Sequence, residues 1–242
     1  MSENRQTEIC SPKLLWLVRH GESTANVSRH RAEAENLPTI DFPEAEREVP
    51  LSDWGEKQAA HTGNWFLRQP EKPTVVFSSP YLRTRETARI ILETARFDNL
   101  DVRFDERLRE RELGIFDRLT RSGAMRKYPE ECAERERVGK FYYRPTNGES
   151  WADVATRVNE FWREMQSKCA GENVLIVTHE AVIRLFRYVL ENLTEDEILT
   201  IDRSCEIGNC AVTKYRFEEL NCILETDNLH LPENFAQPED AR

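Results

Sequence analysis

The feature that most constrains the fold is a short apolar run, Leu14–Val18, that ends directly in Arg19-His20-Gly21. A continuous apolar run of this length is typical of a strand buried on both faces of a parallel sheet. The basic pair, the glycine and the Ser-Thr that follow predict a turn from strand to helix. Because ligands of open α/β sheets bind outside the carboxyl ends of the strands, this turn is a candidate site.

Two later segments repeat the order of strand, polar turn and helix. Thr74–Phe77 is a predicted strand followed by Ser78-Ser79-Pro80 and a helix. Asn173–Thr178 is another predicted strand, and His179 follows it directly. Two closing strands are predicted near Cys210–Phe217 and Asn221–Glu225. These elements predict an α/β three-layer sandwich, with a central, mostly parallel sheet and helices on both faces.

Helix signals and breakers define the rest of the organisation. Ser52 and Ser150 are predicted N-caps of two helices, and Met125–Val138 is predicted to be one polar helix. Residues 105–123 are predicted to form a long loop. We expect a single domain over residues 1–230 and a disordered tail over residues 231–242.

The residues at the strand ends are suited to phosphoryl transfer. A neutral imidazole can attack phosphorus, and guanidinium groups hold phosphate oxygens with two parallel hydrogen bonds. The departing alcohol needs a proton, for which the loop glutamates Glu106, Glu110 and Glu112 are candidates.

Composition excludes several classes of function. The net charge of −10 argues against a nucleic-acid partner, because that binding depends on cationic surface. Apolar runs are too short to span a membrane, and residues 1–12 lack the apolar core of a signal peptide, so we expect a cytoplasmic protein with no membrane partner. The six cysteines have no ligand spacing, and we expect neither a metal nor a cofactor.

Four motifs together resemble the histidine phosphatase superfamily, which includes cofactor-dependent phosphoglycerate mutases and many phosphomonoesterases. They are Arg19-His20-Gly21-Glu22-Ser23 with Asn26, Ser78-Ser79-Pro80-Tyr81-Leu82-Arg83, Leu108-Arg-Glu110-Arg-Glu-Leu-Gly114 and Val177-Thr-His179. The motifs follow one another in the same order as in the family, and together they span most of the chain.

The resemblance implies a role for each matching residue. His20 would be the phosphorylated nucleophile, Arg19, Arg83 and His179 would form the phosphate pocket with it, and Glu110 would be the proton donor, with Glu112 as the alternative. The implied substrate-binding residues are Asn26, Ser23, Gly21 and Glu180. Glu180 stands where the family usually has glycine; we expect its side chain to point into solvent, the alternative being that it shapes substrate choice.

The predicted activity is therefore metal-independent hydrolysis of a small-molecule phosphomonoester. The first alternative is a phosphoglycerate mutase; its family members typically carry Gly-Asn-Ser after the second histidine, where this chain has Glu180-Ala181-Val182. A non-catalytic member that binds a phospho-ligand or a protein is the second alternative. A homodimer through an edge strand near Cys210–Phe217 is possible, and the sequence does not identify the substrate.

Overall fold

The computed structural model describes residues 11–218 and 221–231. Within these ranges the six strands are β1 (Leu14–Arg19), β2 (Val75–Ser78), β3 (Val102–Phe104), β4 (Asn173–Thr178), β5 (Val212–Glu218) and β6 (Asn221–Leu229). They form a single sheet in the order β3-β2-β4-β1-β5-β6. The first four in that order are parallel to one another, β5 is antiparallel to β1, and β6 is antiparallel to β5.

The described residues form eight α-helices and three short 3₁₀ turns. The helices are α1 (Thr24–Ala34), α2 (Asp53–Arg68), α3 (Leu82–Thr94), α4 (Arg121–Lys127), α5 (Pro129–Val138), α6 (Trp151–Lys168), α7 (Glu180–Leu190) and α8 (Glu195–Ser204). The 3₁₀ turns are Glu46–Glu48, Glu106–Leu108 and Gly114–Phe116.

Helices cover both faces of the sheet, as the sequence predicted. On one face, Leu15 and Leu17 of β1 pack in a cluster with Phe161 of α6 and Phe186 of α7. On the other face, Trp16 belongs to a second cluster that includes apolar residues of α2 and α3. Because β1 is buried on both sides, its side chains are apolar at every position from 14 to 18. The three-layer, mostly parallel α/β fold is confirmed.

The predicted N-caps hold two of these helices in place. Ser52 accepts a hydrogen bond from the backbone N–H of Gly55 at the start of α2. Ser150 forms a reciprocal capping box with Asp153 at the start of α6. Each cap satisfies backbone donors that the first turn of a helix otherwise leaves free.

The region between β3 and α6 differs from the prediction. The polar helix predicted over Met125–Val138 is two helices, α4 and α5, which meet at Tyr128 and Pro129. Proline has no N–H to continue α4 but fits the first position of α5. At its other end, α4 begins at Arg121, inside the predicted loop, where the Thr120 side chain accepts a hydrogen bond from the backbone N–H of Gly123.

The sheet edge also differs from the sequence interpretation. The strand that was expected to offer an edge to a second subunit, β5, lies between β1 and β6. In the described part of the chain the sheet edges are β3 and β6, so the expectation that the strand near Cys210–Phe217 is an edge strand is wrong, and the homodimer stays a prediction. The predicted disordered tail lies outside the described residues, except for Leu231. None of the helices described here is long and apolar enough to cross a membrane.

Candidate active site

His20 follows the last residue of β1 and is 3% exposed. Its Nδ1 lies 2.7 Å from the carbonyl oxygen of Gly21. A carbonyl only accepts, so Nδ1 carries the hydrogen and the lone pair is on Nε2. Burial, reinforced by the charges of Arg83 and Arg19, holds the pKa of His20 well below its ordinary value. His20 is therefore a neutral imidazole with a lone pair available for attack.

His179 lies at the adjacent strand end. The parallel register pairs Arg19 with Thr178, so the next residue on each strand is a histidine. The ring centroids of His20 and His179 are 5.2 Å apart. Nε2 of His179 is 2.9 Å from the hydroxyl oxygen of Ser79, and burial, with the charge of Arg83, holds the pKa of His179 well below its ordinary value. The predicted convergence of the strand ends is present.

Arg19 extends from the end of β1 and is 6% exposed. Its Nη1 donates to Glu206 Oε1 at 3.2 Å and to the backbone oxygen of Ile207, and lies 3.7 Å from Glu180 Oε2. Its Nε is buried and has no hydrogen-bond partner among the described residues. This unpaired donor in a polar cavity is suited to a ligand oxygen.

Arg83, in the first turn of α3, is 4% exposed and reaches the same cavity. Its two terminal nitrogens both donate to Glu46: Nη1 to the backbone oxygen and Nη2 to Oε1, each at 2.8 Å. The charge of Arg83 contributes to the lowered pKa of both histidines.

Glu110 lies between the 3₁₀ turns Glu106–Leu108 and Gly114–Phe116. Burial raises the pKa of its carboxyl group, and the nearby charge of Glu180 raises it further. Its Oε1 accepts a hydrogen bond from the backbone N–H of Arg111 at 2.8 Å. A carboxyl group with a raised pKa in a cavity is suited to give a proton at neutral pH.

Buried polar contacts fix the loop that carries Glu110. Arg157 of α6 donates to the backbone oxygens of Arg107 at 2.6 Å and of Glu110 at 3.3 Å. The hydroxyl of Thr178 donates to the backbone oxygen of Leu108 at 2.8 Å. Glu112, the alternative acid, also lines the cavity, but its carboxylate is in contact with Arg109 at 3.4 Å.

Ser23 and Asn26 form the start of α1 at the edge of the cavity. Each caps the other: the Ser23 hydroxyl accepts from Asn26 N at 3.2 Å, and Asn26 Oδ1 accepts from Ser23 N at 3.0 Å. Asn209 also donates to Asn26 Oδ1, at 3.4 Å. With the oxygen of the amide occupied in this way, the NH₂ group of Asn26 is the part left to meet a ligand.

Gly21, by contrast, does not line the cavity. Its N–H donates to the hydroxyl of Thr87 at 3.0 Å, and a Cβ at this position would lie 2.5 Å from the backbone oxygen of Gly55. The close approach that requires glycine is thus to α2. The structure does not place Gly21 among the groups that could contact a substrate.

Glu180 does not point into solvent, and that expectation is wrong. Its Oε1 accepts a hydrogen bond from Arg184 at 2.8 Å, and its Oε2 lies 3.7 Å from Arg19. The buried guanidinium of Arg184 draws the carboxylate inward from the first turn of α7. Glu180 consequently lines the cavity.

Most of these residues line one cavity of about 650 Å³, and His179, like Gly21, is not among the residues that line it. Sequence reasoning missed Glu46, Glu206 and Asn209, which contact Arg83, Arg19 and Asn26 and lie in segments without a recognisable motif. In the described ranges, no group of three or more His, Cys, Asp or Glu residues is arranged to hold a metal ion. The residues that line the cavity include the neutral imidazole of His20, the guanidinium groups of Arg19 and Arg83 and the carboxyl group of Glu110, and the neutral imidazole of His179 is fully buried beside His20.

The chain is similar to known proteins over most of its length. The sequence model of the histidine phosphatase superfamily (branch 1) matches residues 15–229. A phosphoglycerate mutase of Schizosaccharomyces pombe is 32% identical over 197 residues, covering 80% of this chain and 86% of that protein. A fructose-2,6-bisphosphatase of Saccharomyces cerevisiae is 30% identical and aligns with 77% of this chain, but with only 36% of its own length.

Solved structures share the fold. A mycobacterial glucosyl-3-phosphoglycerate phosphatase in complex with VO₃ has a TM-score of 0.70 at 24% identity, covering 90% of this chain and 100% of that one. The α-ribazole phosphatase of Shigella flexneri has a TM-score of 0.72 at 22% identity, covering 89% and 96%. At these identities the likeness establishes the fold alone.

Proposed function

The chain belongs to the histidine phosphatase superfamily, and we propose that it is a phosphomonoesterase that works through a phosphohistidine on His20. The observation that carries the proposal is the hydrogen bond between His20 Nδ1 and the Gly21 oxygen, which leaves the lone pair on Nε2 beside Arg19 and Arg83. The substrate is a small-molecule phosphomonoester, and the site of action is the cytoplasm.

In the first step, Nε2 of His20 attacks phosphorus in line with the ester oxygen. The N–P bond forms while the bond from phosphorus to the alcohol oxygen breaks, and Glu110 gives that oxygen its proton. Arg19, Arg83 and Asn26 donate hydrogen bonds to the phosphoryl oxygens, where negative charge spreads in the transition state. His179 lies beside His20, fully buried, with its Nε2 in contact with the hydroxyl of Ser79.

In the second step, the ionised Glu110 takes a proton from water. The water oxygen attacks phosphorus, and the N–P bond breaks. Inorganic phosphate leaves, His20 is again a neutral imidazole, and Glu110 again carries its proton. The same carboxyl group thus serves as acid and then as base, which suits a group with a raised pKa.

A phosphoglycerate mutase is the second candidate, and the likeness to the S. pombe enzyme favours it. A mutase returns the phosphoryl group to a second hydroxyl instead of to water. Two features of this chain favour hydrolysis: Glu180 places a carboxylate where the family usually has glycine, and Glu112 stands where family mutases carry histidine. A carboxylate in the cavity wall repels the carboxylate of a phosphoglycerate.

The test measures phosphate release by the wild type and by His20→Ala. The substrates are para-nitrophenyl phosphate, glycerol and sugar phosphates, and phosphoglycerates, all with EDTA present, and phosphoglycerate isomerisation is followed in parallel. We expect release by the wild type and none by the variant. Isomerisation without release would support the mutase, and release that persists in His20→Ala would contradict both.

A further inference from the structure

Glu46 occupies the part of the cavity that faces Arg83. Both terminal nitrogens of Arg83 donate hydrogen bonds to Glu46, one to its backbone oxygen and one to its carboxylate, at 2.8 Å each. The Arg83 side chain is 5% exposed, and the Glu46 side chain is 40% exposed. A phosphate group that binds to Nη2 of Arg83 must therefore compete with a carboxylate of the protein itself.

Glu46 is held at this position from both directions along the chain. After it, Arg47 pairs with Glu106 at 2.6 Å. Before it, Arg118 donates to the backbone oxygens of Phe42 at 2.7 Å and Glu44 at 2.5 Å.

The segment that carries Glu46, residues 37–49, is called the strap here. Ile40, Phe42 and Val49 of the strap pack with Ala32 of α1 in a small apolar cluster. The carboxylate is thus placed on Arg83 by an ordered segment, and moving it aside costs free energy.

We propose that Glu46 is a specificity-determining residue that weakens binding of the phosphate group, so that the enzyme selects substrates by their alcohol. This inference rests on the phosphatase function proposed above. A carboxylate within hydrogen-bond distance neutralises the guanidinium and repels a phosphate dianion. Inorganic phosphate and small esters then bind weakly, and the product leaves readily.

The cavity leaves room for such selection. Its volume of about 650 Å³ lies in the usual range for small-molecule sites, so it can hold an alcohol much larger than the phosphate group. Arg29, Arg111 and Asn147 line the same cavity and offer polar contacts to that alcohol. The expected substrate class is therefore a phosphomonoester of an extended polar alcohol, whose remote contacts supply binding energy.

The experiment measures the dissociation constant of inorganic phosphate by calorimetry for three proteins. They are the wild type, Glu46→Gln and the matched control Glu48→Gln. Glutamine at 46 keeps an oxygen for Arg83 but removes the charge. Glu48 lies in the same 3₁₀ turn, and in the described ranges its carboxylate makes no contact with Arg83.

We expect Glu46→Gln to bind phosphate about three- to thirtyfold more tightly and Glu48→Gln to bind it as the wild type does, the range expected for a partly exposed like-charge contact. The KM of Glu46→Gln for glycerol phosphate should likewise be lower than that of the wild type. A damaged strap would weaken binding, so a gain in affinity separates this role from a structural one. Equal or weaker binding by Glu46→Gln would overturn the inference.

The inference and the proposed function fail separately. Hydrolysis that requires His20, together with unchanged phosphate affinity in Glu46→Gln, overturns the inference alone. Tighter phosphate binding by Glu46→Gln, in a protein that hydrolyses no ester, supports the assigned effect of Glu46 on Arg83 and overturns the hydrolase function.

Discussion

The rings of His20 and His179 lie edge to face, with centroids 5.2 Å apart and planes inclined by 64°. The strand register sets this distance, because the paired residues Arg19 and Thr178 each precede a histidine. Burial and the nearby guanidinium charge of Arg83 hold the pKa of both imidazoles well below the ordinary value. The site thus keeps two neutral imidazoles side by side.

These lowered pKa values make folding stability depend on pH. Just below pH 6.5 an unfolded histidine binds a proton and a buried neutral one does not, so the free energy of unfolding falls as the pH falls, by up to about 1.4 kcal/mol per pH unit for each histidine. His179→Gln removes one of these titrations, and its amide can keep the contact with Ser79. Urea unfolding, measured between about pH 6.5 and 5.5, should show that the free energy of unfolding changes less steeply with pH in the variant than in the wild type.

The raised pKa of Glu110 has the opposite effect on stability, because above the ordinary pKa of a glutamate the folded state holds a proton that the unfolded state has lost. Because both proteins contain Glu110, the quantity to compare is the difference in pH dependence between His179→Gln and the wild type. Identical slopes for the two proteins would show that His179 is protonated in the folded state.

Replacing Glu110 with glutamine should slow hydrolysis according to the leaving group. Alkyl phosphates need a proton on the departing oxygen, and we expect a loss of about 10²- to 10⁴-fold. Para-nitrophenol leaves without one, so Glu110→Gln should release a burst of nitrophenol and then hydrolyse the phosphohistidine slowly. Rapid-mixing absorbance measures the burst.

Glu112→Gln is the matched control for the acid, because Glu112 lines the same cavity two residues along the chain. It should retain hydrolysis of alkyl phosphates. Full activity of Glu110→Gln on these esters, with loss in Glu112→Gln, would reverse the assignment of the acid.

The charge of Glu180 should contribute to the high-pH limit of activity. The proton on Glu110 is needed when the alcohol leaves, so the rate falls as the pH rises through the raised pKa of Glu110. Glu180 adds to the effect of burial on that pKa. Glu180→Gln should therefore move the high-pH limb of kcat/KM to lower pH, by a few tenths of a unit to about one unit.

Glu206→Gln controls for the loss of a carboxylate from Arg19. Glu206 contacts the same guanidinium but is 67% exposed, so solvent screens its charge. Glu206→Gln should therefore move the high-pH limb of kcat/KM less than Glu180→Gln does. A larger shift for Glu206→Gln would contradict the assignment of the limb to Glu110.

The sequence was sufficient to predict the parallel sheet and the residues at its carboxyl edge. Buried strands such as β1 consist largely of a continuous apolar run, here Leu14–Val18, and His20 and His179 directly follow the last residues of β1 and β4. The break between α4 and α5 also had a local signal, Pro129, which the charge pattern around it concealed.

Contacts between distant segments could not be predicted in this way. Glu46 lies 37 residues from Arg83, in a segment with no helix or strand periodicity. Gly21 is required because of Gly55, and a sequence does not show which backbone approaches a glycine. The inward direction of Glu180 depends on Arg184, whose burial follows from the packing of α7.

The most direct test of the central claim is to trap the covalent intermediate. Glu110→Gln, mixed with para-nitrophenyl phosphate, quenched in alkali and digested, should yield a phosphorylated peptide that contains His20 and loses its phosphoryl group in acid. His20→Ala should yield none and should not turn over. Turnover by His20→Ala, or a phosphoryl group on another residue, would contradict the account.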